Sequence, residues 1–192
     1  GYGVYAAGDA ATVINSGAIT GGQQGVYAFK SASVTNSGTI TGITGGIIAN
    51  ASANVTNSGT ISTSGANSTA IYANTNAAVS NSGIIAATGL GGSAVSAGGD
   101  IAITNSGTIA ASGSFGTAVF TTGSATVVNS GTIAGTFGGL DSYGVTTVNN
   151  TGTIAGGLFY GIVSGSSANV TNSGAITGWD GIRGAIVNLT NS

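Results

Sequence analysis

One phrase, Val-x-Asn-Ser-Gly-x-Ile, recurs with few changes along the whole 192-residue chain and constrains its fold more than any other feature. The asparagines of this phrase are Asn15, Asn36, Asn57, Asn81, Asn105, Asn129, Asn150, Asn172 and Asn191. Successive asparagines are 21, 21, 24, 24, 24, 21, 22 and 19 residues apart, a mean of 22. A period of this length indicates a solenoid, in which each repeat packs on its neighbours.

Within each repeat, apolar residues alternate with polar ones, which is the pattern of a half-buried strand. Around Asn36, for example, Val34 stands two residues before the asparagine and Ile40 four residues after it, while Val26 lies ten residues before it. Each repeat therefore holds three short strands. The pattern predicts an all-β fold, a right-handed single-stranded parallel β-helix (β-solenoid) of about nine coils of about 22 residues, with three strands per coil.

The asparagines should form a column, because successive coils of a solenoid stack at roughly 4.8 Å and place equivalent residues above one another. Stacked side-chain amides hydrogen-bond along the stack as a ladder. Asparagine also tolerates the left-handed backbone of a tight corner, and the Ser-Gly that follows suits the same corner. We therefore expect a structural asparagine ladder at a turn with left-handed residues.

The nine repeats leave no room for a linker or second domain, so residues 1–192 are predicted to be a single β-helix segment, a fragment of a longer repeat array. Only two basic and four acidic side chains occur, with no histidine or cysteine. Nucleic-acid binding is excluded because the chain lacks a basic patch to neutralise phosphates. Disulfides and thiolate zinc sites are excluded as well, and we expect neither a metal nor a cofactor.

The repeats resemble the passenger domains of bacterial autotransporters, the type V secreted adhesins. The segments that carry the resemblance are Val34–Gly42 and Val55–Ile61, which read VTNSGTITG and VTNSGTI. The resemblance covers nearly all of the chain and implies export to the surface of a Gram-negative cell. It also implies a C-terminal membrane barrel outside this chain. Other long β-solenoid adhesins, including those similar to filamentous haemagglutinin, share this pattern of Asn and Gly.

Many β-helical proteins cleave polysaccharides with clustered carboxylates, so the four aspartates are candidate catalytic groups. Asp9, Asp100, Asp141 and Asp180 fall in different repeats and at different positions of the repeat. The nearest pair along the rod, Asp141 and Asp180, should be two coils apart, roughly 10 Å by stacking alone. With no histidine, cysteine or glutamate, general acid–base and nucleophilic catalysis lack their usual groups. We predict that the chain is not an enzyme.

A candidate contact stripe lies next to the inward residue of the first strand in each repeat. Its residues are Tyr5, Tyr27, Ile48, Tyr72 and Phe120, with Ser96 interrupting the row. Exposed aromatic residues in one column would form an apolar surface for binding or self-association. The alternative is that Tyr and Phe stand there because they favour β-strands.

Two further surface features are repeated. The 24-residue copies carry three extra residues at one corner, within 64–68, 88–92 and 112–116, and loops on a rigid scaffold often carry recognition. Outward threonines form two broken columns, which β-propensity also explains. These columns are Thr35, Thr56, Thr104 and Thr171, and Thr39, Thr60, Thr108, Thr132 and Thr153.

The sequence thus predicts a non-enzymatic structural and adhesive surface rod, the passenger or stalk segment of an autotransporter-like adhesin. Its expected partner is a ligand on a host or neighbouring cell, or a second copy of the chain. The expected location is secreted, on the bacterial cell surface or extracellular. A self-assembling extracellular fibre or biofilm-matrix protein is one alternative, and an ice-binding β-solenoid is another.

Overall fold

The chain winds as a parallel β-solenoid of nine coils, described by a computed structural model for residues 1–192. Its 26 strands, β1 to β26 along the chain, are three to six residues long and join into three parallel sheets. Each coil contributes one strand to each sheet, except that the last coil has no strand in the third. The predicted fold class, coil number and three strands per coil are therefore confirmed.

The first sheet stacks nine strands in chain order. They are β1 (Tyr2–Ala6), β4 (Gln24–Ala28), β7 (Gly45–Ala49), β10 (Thr69–Ala73), β13 (Ser93–Ala97), β16 (Thr117–Thr121), β19 (Gly138–Ser142), β22 (Tyr160–Ser164) and β25 (Asp180–Arg183). Its register pairs Val26 with Ile47 and Tyr27 with Ile48 in the next coil. Like positions of the repeat therefore lie directly above one another.

The second sheet holds the asparagine of each repeat at a strand end. Its strands are β2 (Ala11–Asn15), β5 (Ala32–Asn36), β8 (Ala53–Asn57), β11 (Ala77–Asn81), β14 (Ile101–Asn105), β17 (Ala125–Asn129), β20 (Thr146–Asn150), β23 (Ser167–Asn172) and β26 (Ile186–Asn191). Buried and exposed residues alternate along most of these strands, for example in β8. This strict alternation is why the sequence pattern identified them so clearly.

The third sheet is built on the isoleucine that follows each asparagine. Its strands are β3 (Ala18–Thr20), β6 (Thr39–Gly42), β9 (Thr60–Thr63), β12 (Ile84–Ala87), β15 (Thr108–Ala111), β18 (Thr132–Gly135), β21 (Thr153–Gly156) and β24 (Ala175–Thr177). The pairing of Ile85 with Ile61 and Ile109 keeps this column in register across coils. Stacked at roughly 4.8 Å, the nine coils form a rod of roughly 40 Å.

A single core runs along the axis between the three sheets. In one coil, Ile71, Val79 and Ile85 come from the first, second and third sheet, and all three are buried. In each strand of the first sheet, the residue just before the buried branched or leucine residue also faces the core. This residue is always glycine or alanine, for example Gly46 before Ile47 and Ala70 before Ile71. A methyl group at Gly46 would approach the Ala70 carbonyl oxygen to 2.6 Å, so even alanine at Gly46 would displace the neighbouring coil.

Candidate functional site

The nine asparagines of the repeat form one continuous ladder. Each Nδ2, from Asn15 to Asn172, donates to Oδ1 of the next asparagine along the stack, at 2.7 to 2.8 Å. At Asn36, the same Nδ2 also donates to the carbonyl oxygens of Gly38 at 3.0 Å and Thr60 at 3.2 Å. The ladder therefore satisfies backbone groups at this corner as well as the amides themselves.

The left-handed corner expected at the ladder is absent, so that part of the sequence prediction was wrong. The residues with left-handed φ are Asn67, Gly91 and Phe115, and none of them belongs to the ladder. The ladder asparagines end ordinary strands, and the stacked amides fix their side chains. Asparagine is thus selected here by its two donors and its acceptor, and not by backbone tolerance.

The glycine of the Asn-Ser-Gly phrase is explained by close stacking of the coils. A methyl group on Gly107 would lie 2.2 Å from the carbonyl oxygen of Gly83 in the preceding coil. The same approach of 2.0 to 2.2 Å recurs at Gly38, Gly59, Gly83, Gly131, Gly152 and Gly174. At Gly17, in the first coil, nothing lies within 4 Å. The phrase therefore serves stacking: its asparagine bonds between coils, and its glycine lets them approach.

The structure aligns the predicted contact stripe in one column on the outer face of the first sheet. The register runs from Tyr5 through Tyr27, Ile48 and Tyr72 to Ser96 and Phe120. Tyr5 is 53% exposed, Ser96 is buried and the other members are partly buried. The side chain of Ile48 covers Gly45: a methyl group added to this glycine would lie 2.4 Å from Cδ1 of Ile48. Beyond Tyr5, the side chains of the column are therefore only partly accessible to solvent.

A tyrosine cluster occupies the first two coils of this face. The ring of Tyr5 stacks on Tyr2 at 4.7 Å and on Tyr27 at 5.4 Å between centroids. The phenol oxygen of Tyr27 accepts a hydrogen bond of 2.7 Å from Nδ2 of Asn50. Sequence reasoning missed Tyr2, because it stands three residues before Tyr5, outside the repeated position, and meets the column only through its ring.

A second aromatic group surrounds Asp141 on the same face. Tyr160 lies across Gly138, and its hydroxyl donates to Oδ2 of Asp141 at 3.2 Å. Burial raises the pKa of the Asp141 carboxyl above its ordinary value, and the bond from Tyr160 opposes that shift. Burial, followed by the neighbouring Asp141 charge, raises the pKa of Tyr160. Phe120, which pairs with Asp141 from the preceding coil, meets Tyr143 edge to face, with 5.7 Å between the ring centroids.

The remaining charged residues are scattered. Asp9 forms an exposed ion pair of 3.0 Å with Lys30. Oδ1 of Asp100 accepts the backbone N–H of Ser124 at 2.8 Å, which makes it a corner residue that bonds to the next coil. Asp180 lies in β25, two coils beyond Asp141 in β19. No group of three or more acidic residues is placed to hold a metal ion.

The corners and the threonine columns lie where the sequence placed them. The extra residues of the 24-residue copies form the turn from the third sheet to the first, where Asn67, Gly91 and Phe115 occupy the same left-handed position. Thr35 and Thr56 pair on the outer face of the second sheet, but Ser80 and Val128 interrupt that column. Ile84 interrupts the threonine column of the third sheet.

Comparison of the chain with protein-family models, with curated proteins and with solved structures finds no match. The structure has no helix with the length and hydrophobicity needed to cross a membrane. The chain is a β-solenoid repeat protein of about nine coils with an asparagine ladder.

Proposed function

We propose that this chain is a non-enzymatic structural and adhesive rod, displayed on a bacterial surface as the passenger or stalk segment of an autotransporter-like adhesin. The observation that supports this proposal is the unbroken stack itself. Core, ladder and glycine contacts repeat from coil to coil along the rod. Such a stack holds surface residues at fixed spacing over roughly 40 Å.

The adhesive surface is assigned to the stripe on the first sheet, beginning with the tyrosine cluster. Aromatic side chains supply large contact areas with few torsions to immobilise, which favours them at interfaces. The rings of Tyr5 and Tyr27 stack at 5.4 Å between centroids, which sets their phenol groups side by side. Their partner is a ligand on a host or neighbouring cell.

The secreted, cell-surface location and the membrane barrel beyond this chain belong to the same proposal. They are supported by the Asn-Ser-Gly-x-Ile repeats, which resemble autotransporter passengers. The near absence of charge, with two basic and four acidic residues, suits a rod whose solubility depends on exposed Thr, Ser and Asn.

Adhesion is tested with the purified chain on fluorescent beads, incubated with bacterial and epithelial cells. We expect the wild-type beads to bind at least one cell type, and Tyr27→Ser with Tyr72→Ser to abolish most of that binding. The matched control is Ile84→Ser with Val128→Ser, which removes exposed apolar residues from the other two sheets. No binding by the wild type, or equal binding by both variants, contradicts the proposal.

A self-assembling extracellular fibre is the second candidate, because large apolar side chains such as Phe115 and Trp179 are exposed on one corner of the rod and exposed apolar surface promotes association. Electron microscopy of the purified chain tests it. Long filaments at physiological salt would favour the fibre over the adhesive rod. An ice-binding solenoid is not favoured, since Ser80, Val128 and Ile84 break the threonine columns.

A further inference from the structure

The corner between the third and first sheets carries a row of apolar side chains over five consecutive coils, all exposed except Phe137, which is partly buried. This corner ridge consists of Leu90, Phe115, Phe137, Leu158, Phe159 and Trp179. Phe115 is 61%, Phe159 48% and Trp179 89% exposed, and the two leucines are each about half exposed. No charged residue occurs in the turn segments that carry the ridge, and Asp180 is the first to follow them.

The middle of the ridge is continuous, because the side chains of neighbouring coils lie close together there. The ring of Phe137 lies 4.4 Å from that of Phe159 and 6.4 Å from that of Phe115, between centroids. Phe115 and Leu158 line one shallow groove. The backbone N–H of Asp180 donates to the Phe159 carbonyl at 2.7 Å, which places Trp179 one coil beyond Phe159.

Phe115 adopts the left-handed backbone conformation, which is unfavourable for a bulky residue. Its φ is 61°, and the equivalent positions of the two preceding coils hold Gly91 and Asn67, residue types that tolerate this region. A bulky residue there costs about 1–2 kcal/mol, and the exposed ring gains little by burial in return. Backbone strain of this kind clusters at functional sites. At Phe115, the strained conformation places an aromatic ring on the surface of the corner.

The apolar area of the ridge matches the apolar part of one side of a standard protein interface. A fully exposed aromatic side chain presents roughly 150–250 Å², so Phe115, Phe159 and Trp179 together present roughly 400 Å² at their observed exposures. The two leucines add to this. A standard interface buries roughly 800 Å² per partner, of which somewhat more than half is apolar. The ridge therefore supplies about the apolar area that one partner needs.

A second copy of this chain is the occupant that fits. The ridge has no charge with which to select a basic or acidic partner, and no charge that would repel its own duplicate. Its residues also advance one coil at a time, at roughly 4.8 Å, so an identical ridge has the same spacing. A two-fold axis brings the same surface of both copies together in a closed dimer.

We propose that two copies of this chain pack their corner ridges against each other as a two-fold dimer. Phe115, Phe159 and Trp179 form its apolar centre, and the serines and threonines of the turns form its rim. This contact is separate from the stripe on the first sheet and does not depend on adhesion to another cell.

Sedimentation equilibrium of the purified chain over a concentration series tests the dimer. We expect the wild type to approach twice its 17.9 kDa mass at concentrations of about 10–100 µM, the range of modest interfaces of this size. The variant Phe115→Ser with Phe159→Ser and Trp179→Ser should remain monomeric, its dissociation constant raised at least about a hundredfold. The matched control, Ile14→Ser with Ile84→Ser and Val128→Ser, should dimerise as the wild type does.

Circular dichroism of each variant checks that the β-solenoid is retained. If the triple ridge variant fails to fold, Trp179→Ser alone replaces it, because this side chain is almost fully exposed, and its dissociation constant should rise about tenfold. A monomeric wild type throughout the series overturns the proposal. Association that survives the ridge substitutions, as end-to-end stacking would, overturns it as well.

Discussion

Nδ2 of Asn81 donates a hydrogen bond of 2.8 Å to Oδ1 of Asn105, which stands one coil further along the rod. Eight such bonds connect the nine ladder asparagines, so a polar column runs beside the apolar core. Buried amides are costly unless their donors and acceptors are paired. Here the repeat itself supplies the partner, and each amide depends on its neighbour.

Asn105→Leu is expected to lower the free energy of unfolding by about 2–4 kcal/mol, because it leaves buried groups in adjoining coils unpaired. Asn105 donates to Gly107, Asn129 and Thr132 and accepts from Asn81. Urea unfolding followed by circular dichroism measures the change. Asn54→Leu is the matched control at an exposed position and should cost less than about 0.5 kcal/mol. Equal losses in the two variants would argue against the ladder.

Gly107→Ala should destabilise the chain by about 3 kcal/mol, since its new methyl group would lie 2.2 Å from the Gly83 carbonyl oxygen and force two coils apart. Gly17→Ala places the same substitution at the same position of the repeat, where nothing lies within 4 Å. The urea midpoint of Gly17→Ala should therefore match that of the wild type. If both variants behaved alike, the glycine would be selected for some reason other than stacking.

The pH dependence of stability should include a contribution from Asp141. Burial raises the pKa of this carboxyl above its ordinary value of 3.8, so the folded chain binds a proton there more readily than the unfolded chain. This group therefore destabilises the fold at neutral pH. As the pH falls through the raised value toward 3.8, that destabilisation is relieved.

Asp141→Asn isolates this effect, because the amide oxygen can still accept from Tyr160 while carrying no charge. We expect the variant to be more stable than the wild type at pH 7, and the gap in urea midpoint to close as the pH approaches 4. Asp9→Asn serves as a control at an exposed position. A gap that widens toward acid pH would contradict the assigned direction.

The fold was predictable because apolar residues recur at the same positions of the repeat along the whole chain. Val79 and Ile85 stand at fixed distances from Asn81 and are buried as that spacing requires. The reason for the glycine was not predictable. A turn and a close approach of two coils both call for glycine, and only the distance from Gly107 to the Gly83 carbonyl distinguishes them.

Side-chain contacts on the surface were less predictable from the sequence than the core. The contact between Tyr160 and Asp141 joins residues 19 apart at different positions of the repeat, so no period in the sequence indicates it. Phe115 and Phe137 meet on one corner although their turns differ in length. Residues that lie in register can be predicted from a repeat sequence, whereas contacts between long side chains of different columns depend on the three-dimensional structure.

The central claim is that the coils stack in register, and distances between spin labels test it most directly. The chain has no native cysteine, and Thr35, Thr56 and Thr171 are exposed members of one column on the second sheet. Labels at Thr35→Cys with Thr171→Cys should lie roughly 29 Å apart, six coil steps, and labels at Thr56→Cys with Thr171→Cys roughly 24 Å apart. Two distances that do not differ by about one coil step, or a broad distribution for either pair, would contradict the stacked solenoid.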